Sequence, residues 1–206
     1  MKIYLTLSFW LVSLVFSVFA QNGNFYLSNY QPNDEKIDYR SSAMVQDEFG
    51  VIYFTNKTGI LEFDGKNWKL IPTSGATYTL AAHKKDLYVG GIFGFGKLSE
   101  RKGAVRKYLP LVELSNVFSS FITDELAYLC NEEKLVVFSL TTNSIAKTIQ
   151  LGADDSFTGI HHIGGKVFAS TTKNGHLVID GDKLSSPPFT FPTNQIVLIL
   201  RLNHRQ

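Results

Sequence analysis

Cysteine is nearly missing: Cys130 stands alone among 206 residues, so the chain holds no internal disulfide and no cysteine-based zinc set. Charge is sparse too, at 18% against the ~25% of an ordinary soluble domain. Neither sign prevails, since 20 Lys and Arg face 18 Asp and Glu. The scattered cations form no basic cluster of the kind that meets nucleic acid, so no nucleic acid is expected to bind. A hydrophobic share of 44% excludes a disordered tail. Proline is limited to 6 positions, whereas Phe, Tyr and Trp together reach 13% and glycine 16 residues. That balance favours strands joined by tight turns.

Long apolar runs are also lacking, except for one. Lys2 precedes Ile3 to Ala20, interrupted only by Thr6 and three serines. Val18 and Ala20 occupy the −3 and −1 positions of a cut before Gln21, as a signal peptidase requires. Residues 1–20 therefore read as a signal peptide, with an uncleaved anchor as the competing reading. A periplasmic or secreted protein is expected.

A repeat organises the rest. Tyr53, Tyr88, Tyr128 and Phe168 each centre a short apolar segment, and they lie 35, 40 and 40 residues apart. That spacing approaches the ~40–45 residues of a four-stranded propeller blade. The fold class expected is all-β, a partial β-propeller of four-stranded antiparallel blades. After a lead-in at 21–42, blades are placed at about 43–72, 77–109, 118–151 and 158–191, and Gln195–Arg201 begins a fifth. Outer strands are expected at Asn67–Pro72, Ala104–Leu109, Ser144–Leu151 and Ser186–Phe191. A helix over Pro110–Cys130 competes, because Leu111, Leu114, Val117, Phe118 and Phe121 recur at helical spacing. Consistency across the repeats favours strands there.

Asn29-Tyr-Gln-Pro32, Gln46-Asp47, Gly59-Ile-Leu-Glu-Phe-Asp-Gly-Lys-Asn-Trp68 and Phe93-Gly-Phe-Gly-Lys-Leu98 carry a further pattern. It resembles the N-terminal periplasmic sensor propeller of Bacteroidetes-type regulators, built from two-component-regulator propeller repeats. The likeness is close over residues 25–110 and looser to 200. In that family a triple-tyrosine module, a membrane helix and a kinase or DNA-binding output follow the propeller, and none is present here. The resemblance implies a sensor that answers to glycans or their fragments, with its output domains elsewhere. A truncated reading frame is expected, and a short secreted sensor piece is the alternative. Asp64, Gly65 and Trp68 are read as fold-makers: a tight turn needing positive φ, then a flat ring between blades.

Catalytic signatures are weak. Gly91–Lys97 approaches a P-loop, but Leu98 stands where a hydroxyl is required. His161 and His162 are adjacent and so point to opposite strand faces, and His83 and His176 are placed apart from them. Asp154-Asp155 and Asp180/Asp182 read as solvated turns and not as a calcium loop. No Gly-x-Ser-x-Gly occurs, Cys130 reads as a buried thiol, and the Asn56-Lys57-Thr58 sequon suits a hairpin turn. No cofactor, metal or catalytic residue is expected. A binding face is expected where second-to-third-strand loops meet the entries of the first strands. Its candidates are Tyr39, Arg40, Asn56, Lys57, Phe93, Phe95, Glu132 with Glu133, Lys173 and Asn174, aromatic and polar groups suited to a sugar or peptide. A lyase, a glycosidase or a structural adhesion module is the rival reading. Self-association is also expected, through the apolar edge of Gln195–Arg201.

Overall fold

The computed structural model describes residues 30, 32, 37–38, 40–99, 106–180 and 183–187. The chain divides into two compact units, residues 1–33 and 34–206, and every strand lies in the second. The signal-peptide segment, Tyr39, and Gln195–Arg201 lie outside the described residues.

Four sheets of four strands follow one another along the chain, each an antiparallel meander with its strands in sequence order. Blade one holds β1 (Met44–Gln46), β2 (Ile52–Asn56), β3 (Gly59–Phe63) and β4 (Trp68–Pro72). Blade two holds β5 (Thr77–His83), β6 (Asp86–Gly91), β7 (Gly94–Leu98) and β8 (Tyr108–Val112). Blade three comprises β9 (Ser119–Ile122), β10 (Leu126–Cys130), β11 (Lys134–Ser139) and β12 (Ser144–Gln150). Blade four comprises β13 (Phe157–Ile163), β14 (Lys166–Thr171), β15 (Gly175–Asp180) and β16 (Lys183–Ser185). No helix occurs among the described residues, and Pro110–Cys130 is strand, turn and strand.

Local chemistry fixes the turns. Asp47 Oδ1 accepts the N–H groups of Phe49 and Val51, each at 3.0 Å, and its Oδ2 accepts the Tyr53 hydroxyl at 3.1 Å. Asp64 Oδ1 accepts the N–H groups of Lys66 and Asn67 at 2.9 and 2.7 Å, which closes the β3–β4 hairpin. Gly65 takes φ +95° there, a conformation that a side chain disfavours. Trp68 follows at once and stacks on Phe63, ring centroids 4.5 Å apart.

The sheets pack face to face through three apolar layers. Tyr53, Ile60 and Ile71 of blade one meet Leu87, Val89 and Leu98 of blade two. Phe95 and Tyr88 of blade two meet Leu129, Val136 and Phe138 of blade three. Cys130, Leu135 and Val137 then meet Ile160, Val167 and Ala169 of blade four. A fully buried Phe or Leu contributes roughly 1.5–3 kcal/mol relative to exposure, so these layers dominate the stability. The first strands β1, β5, β9 and β13 pack successively on one another, as innermost strands do around a propeller axis. Packing of that extent does not recur between β13 and β1 among the described residues, so the four sheets form an open arc.

Two outer strands differ from expectation. In blade two the strand is Tyr108–Val112, which shares Tyr108 and Leu109 with the expected Ala104–Leu109; residues 106–107 are not strand and residues 104–105 lie outside the described residues. Gly96 lacks a side chain where the Tyr108 ring lies: a Cβ there would stand 2.6 Å from Tyr108 Cζ. The ring settles on that gap, and Pro110 is tolerated because the strand is an edge. In blade four the outer strand is Lys183–Ser185; of the expected Ser186–Phe191, residues 186–187 are not strand and residues 188–191 lie outside the described residues. Asp180 pairs with Lys183, so the chain turns back within two residues, and Pro187 then offers no N–H to a ladder.

Candidate functional site

Four hairpins join second to third strands, and each begins three residues after the repeat aromatic, at Asn56, Gly91, Asn131 and Thr171. Each is tied to the segment that leads into a first strand. In blade one Asn56 donates its N–H to Thr77 Oγ1 at 2.9 Å, at the entry to blade two, and its side-chain amide donates to the Asp38 carbonyl. The Thr77 hydroxyl in turn donates to the Gly59 carbonyl at 2.7 Å. Between blades two and three, Val117 donates to the Gly91 carbonyl at 2.9 Å and Asn116 to that of Ile92 at 3.1 Å. Asn131 repeats the role of Asn56. Its Oδ1 accepts the N–H groups of Glu133 and Lys134, and its Nδ2 donates to the Ser115 carbonyl at 3.0 Å. The neighbouring Glu132 carbonyl accepts the Phe157 N–H at 2.9 Å, which ties blade three to blade four.

Blade four reverses the polarity of this tie. Asp155, ahead of β13, accepts from Thr172 Oγ1, the Lys173 N–H and Asn174 Nδ2 at 2.8, 2.8 and 2.7 Å. Partial desolvation raises its carboxyl, but these donors outweigh it and hold the group well below the usual carboxylate range. The sign follows: the ties are complete above the ordinary value near 3.9 and are lost as pH falls through the depressed folded value. Asp155→Ala is expected to speed amide exchange at Lys173 and Asn174 severalfold, while exchange in β10 stays unchanged. An unchanged rate at Lys173 would count against this role for the carboxylate.

These ties gather the four hairpins at one end of the arc, where the candidate residues divide. Lys57, Glu132, Lys173, Asn174 and Arg40 are exposed there, and Phe93 is half-buried, edge-on to Tyr108 at 4.7 Å. Arg40 pairs with Asp38 at 3.5 Å, and Lys173 pairs with Asp154 at 3.4 Å. Ile92, 49% exposed, adds an apolar tip. Two candidates do not reach this surface. Phe95 is wholly buried between blades two and three, 5.8 Å from the Tyr88 ring and parallel to it. Asn56 is buried as well, its amide spent on Asp38 and its Oδ1 on the Thr58 N–H at 3.3 Å. A sequon whose asparagine is so engaged serves the hairpin.

Elsewhere the chemistry-bearing groups serve packing. Cys130 is buried and its thiol is pushed up to about 12 by desolvation, which leaves it protonated and unreactive. The Gly91–Gly94 bend closes β6 onto β7 and opens no helix toward a phosphate. His162 stacks on Phe121 at 4.6 Å. His161, however, meets His176 with ring centroids 6.0 Å apart, and Ser170 Oγ lies 2.7 Å from His176 Nδ1. Burial, then the neighbouring His176, lowers the His161 pKa. The sequence separates these two histidines by 15 positions; the β13–β14–β15 register brings them to one face. No group of three or more metal-ligating side chains occurs among the described residues.

No family model and no curated protein matches this chain. Solved structures do match. The Pan2 WD40 domain of Neurospora crassa is 15% identical over 68% of this chain and 46% of its own, with a TM-score of 0.53. The extracellular domain of the hybrid two-component system BT4673 from B. thetaiotaomicron is 17% identical over 76% of this chain, with a TM-score of 0.59. A second structure of a BT4673 extracellular domain, there of a one-component system, is 19% identical over 81%, again with a TM-score of 0.59. The fold is a β-propeller. The chain spans 22–24% of the BT4673 structures, so it matches a sector of a larger propeller-containing domain. At these identities the likeness is one of fold.

Proposed function

We propose that this chain is an extracytoplasmic, non-catalytic ligand-sensing propeller region of a signal-transduction regulator, with a glycan or similar small extracellular ligand. The observation that carries this reading is the likeness to the extracellular domain of BT4673 over about four-fifths of the chain. The apolar run before Gln21 accords with export. So does the character of the hairpin end, where Lys57, Phe93, Glu132 and Lys173 offer a ring edge and charges to a polar ligand. Glycosidase chemistry calls for a carboxylic acid kept protonated opposite a second carboxylate. Asp155 is held ionised by its donors and is unsuited to that acid role.

Calorimetric titration of the purified chain against a panel of oligosaccharides, with the products analysed in parallel, tests the proposal. Saturable binding without turnover is the expected result, and Lys173→Ala is expected to weaken it roughly tenfold, the worth of one charge-assisted hydrogen bond. Release of shortened products would overturn the non-catalytic reading. Neither binding nor turnover across the panel would favour a scaffold module.

A further inference from the structure

The first strand of each blade is paired within its sheet on one side only, so β1, β5, β9 and β13 turn an open edge to the propeller axis. At the start of three of them one residue falls out of the ladder. In β5 the register shifts between Thr77 and Thr79, and in β13 between Phe157 and Gly159. In blade three Ser119 pairs with Cys130, yet Phe118 also donates its N–H to the Cys130 carbonyl, at 3.3 Å. The surplus residues are Tyr78, Phe118 and Thr158, each 40 positions after the last. Val45 pairs with Tyr53 as Ala81 pairs with Tyr88, so three residues back Ser42 holds the place of Tyr78 in blade one.

A bulge re-aims the side chain that it frees, and such bulges cluster at binding sites. The neighbours in β5 give the direction. Thr77 donates its hydroxyl to the Gly59 carbonyl of blade one, and Leu80 packs in the layer shared with that blade. Thr79 Oγ1 lies 2.7 Å from Ser120 Oγ of blade three, and Ala81 packs in the layer shared with blade three. Both faces of β5 are thus occupied, and the surplus Tyr78 is left to the open edge. It is half-buried, and its ring enters neither layer. Phe118 is half-buried and packs in part on the layer toward blade four, whereas Thr158 and Ser42 are exposed. Ser42 donates its hydroxyl to the Tyr78 carbonyl at 2.9 Å, which joins the two positions across the blades. Thr77, Val117 and Phe157, each just ahead of a surplus residue, carry the ties to the second-to-third-strand hairpins, so all four positions lie at the hairpin end. They hold two aromatic rings and two hydroxyls, and no charge.

We propose that this axial end is the specificity-determining part of the binding face, and that it takes an uncharged sugar ring. Tyr78 and Phe118 offer apolar ring surface to the C–H face of the sugar, and the Ser42 and Thr158 hydroxyls meet its hydroxyl groups. The inference rests on the sensing reading above and narrows it: the ligand is a neutral saccharide seated at the axis, and the charged rim of Lys57, Glu132 and Lys173 surrounds it.

Calorimetric titration of the full chain with neutral maltohexaose, cellohexaose, xylohexaose and mannohexaose, and with anionic oligogalacturonides, provides the test. Binding of a neutral member is expected, with Tyr78→Ala raising its dissociation constant at least about tenfold, the loss of a stacked ring. Tyr78→Phe keeps the ring and is expected to stay within about twofold of the parent. Raising salt from about 0.1 to about 0.5 M should leave the affinity unchanged, since the ligand bears no charge to screen. Thr158→Glu, at an exposed position that tolerates it, should also weaken binding and keeps the test open if Tyr78→Ala fails to fold, which circular dichroism checks. Binding unchanged in Tyr78→Ala and Thr158→Glu but weakened in Lys173→Ala would place the ligand on the rim, overturning this inference and sparing the sensing reading. Binding confined to oligogalacturonides would do the same. No binding to any member of the panel would overturn both.

Discussion

Phe95→Ala is expected to lower stability by about 3–5 kcal/mol, the range for deleting a large buried ring. Phe95 has no exposed surface and lies parallel to Tyr88 in the layer that binds blade two to blade three. Its neighbours cannot collapse freely into the space. Val112 is held opposite it in the β7–β8 ladder, and Leu129 and Phe138 belong to the next sheet. Much of the ring's volume would remain as a cavity. Phe95→Leu retains most of the packing and should cost no more than about 1.5 kcal/mol. Phe93→Ala, two residues away on the partly exposed side of the same strand hairpin, should cost clearly less than Phe95→Ala. Urea denaturation of the three variants checks the ranking. If Phe93 proved the costlier position, the assignment of Phe95 to the inter-blade layer would be wrong.

That pair of phenylalanines marks where the sequence stops being legible. Strand positions can be read because Tyr53, Tyr88, Tyr128 and Phe168 recur at a nearly fixed interval, each flanked by alternating apolar residues. The same alternation cannot orient Phe95, because Gly94 and Gly96 on either side carry no side chain whose polarity would report a face. Register is hidden for a related reason. A bulge between Phe157 and Gly159 shifts the start of β13 against β14, and only the regular pairing beyond it puts Gly159, Ser170 and His176 in one row beside His161. The second outer strand is obscured by Pro110, which suits a helix start as well as an edge strand. The inter-blade ties could have been found. Asn56 and Asn131 both stand three residues after the repeat tyrosine, and a polar residue recurring there within an apolar repeat points to a backbone partner.

The largest effect from the smallest change is expected at Gly59. A Cβ at this position would lie 2.2 Å from the Ile71 carbonyl oxygen and 3.0 Å from Pro72 Cα. Both are backbone atoms of β4, so no rotamer change relieves the contact. Gly59 also takes φ +154°, which a side chain disfavours. Overpacking of this kind costs about 1–3 kcal/mol and a strained backbone about 1–3 more. Gly59→Ala should therefore destabilise the chain by roughly 2–6 kcal/mol. The damage should spread, because the Gly59 carbonyl accepts the Thr77 hydroxyl at 2.7 Å, and Thr77 also receives the Asn56 N–H at the entry to blade two. Moving β3 away from β4 would loosen the tie between the first two blades. Amide exchange at Asn56 and in β5 should rise together with the loss of stability. Gly65→Ala provides the contrast: φ is +95°, but nothing lies within 4 Å of the added methyl, so only backbone strain of about 1 kcal/mol is expected. Equal costs at the two glycines would show that conformation, and not the approach of β4, decides the effect. A cost at Gly59 without faster exchange in β5 would confine the damage to blade one.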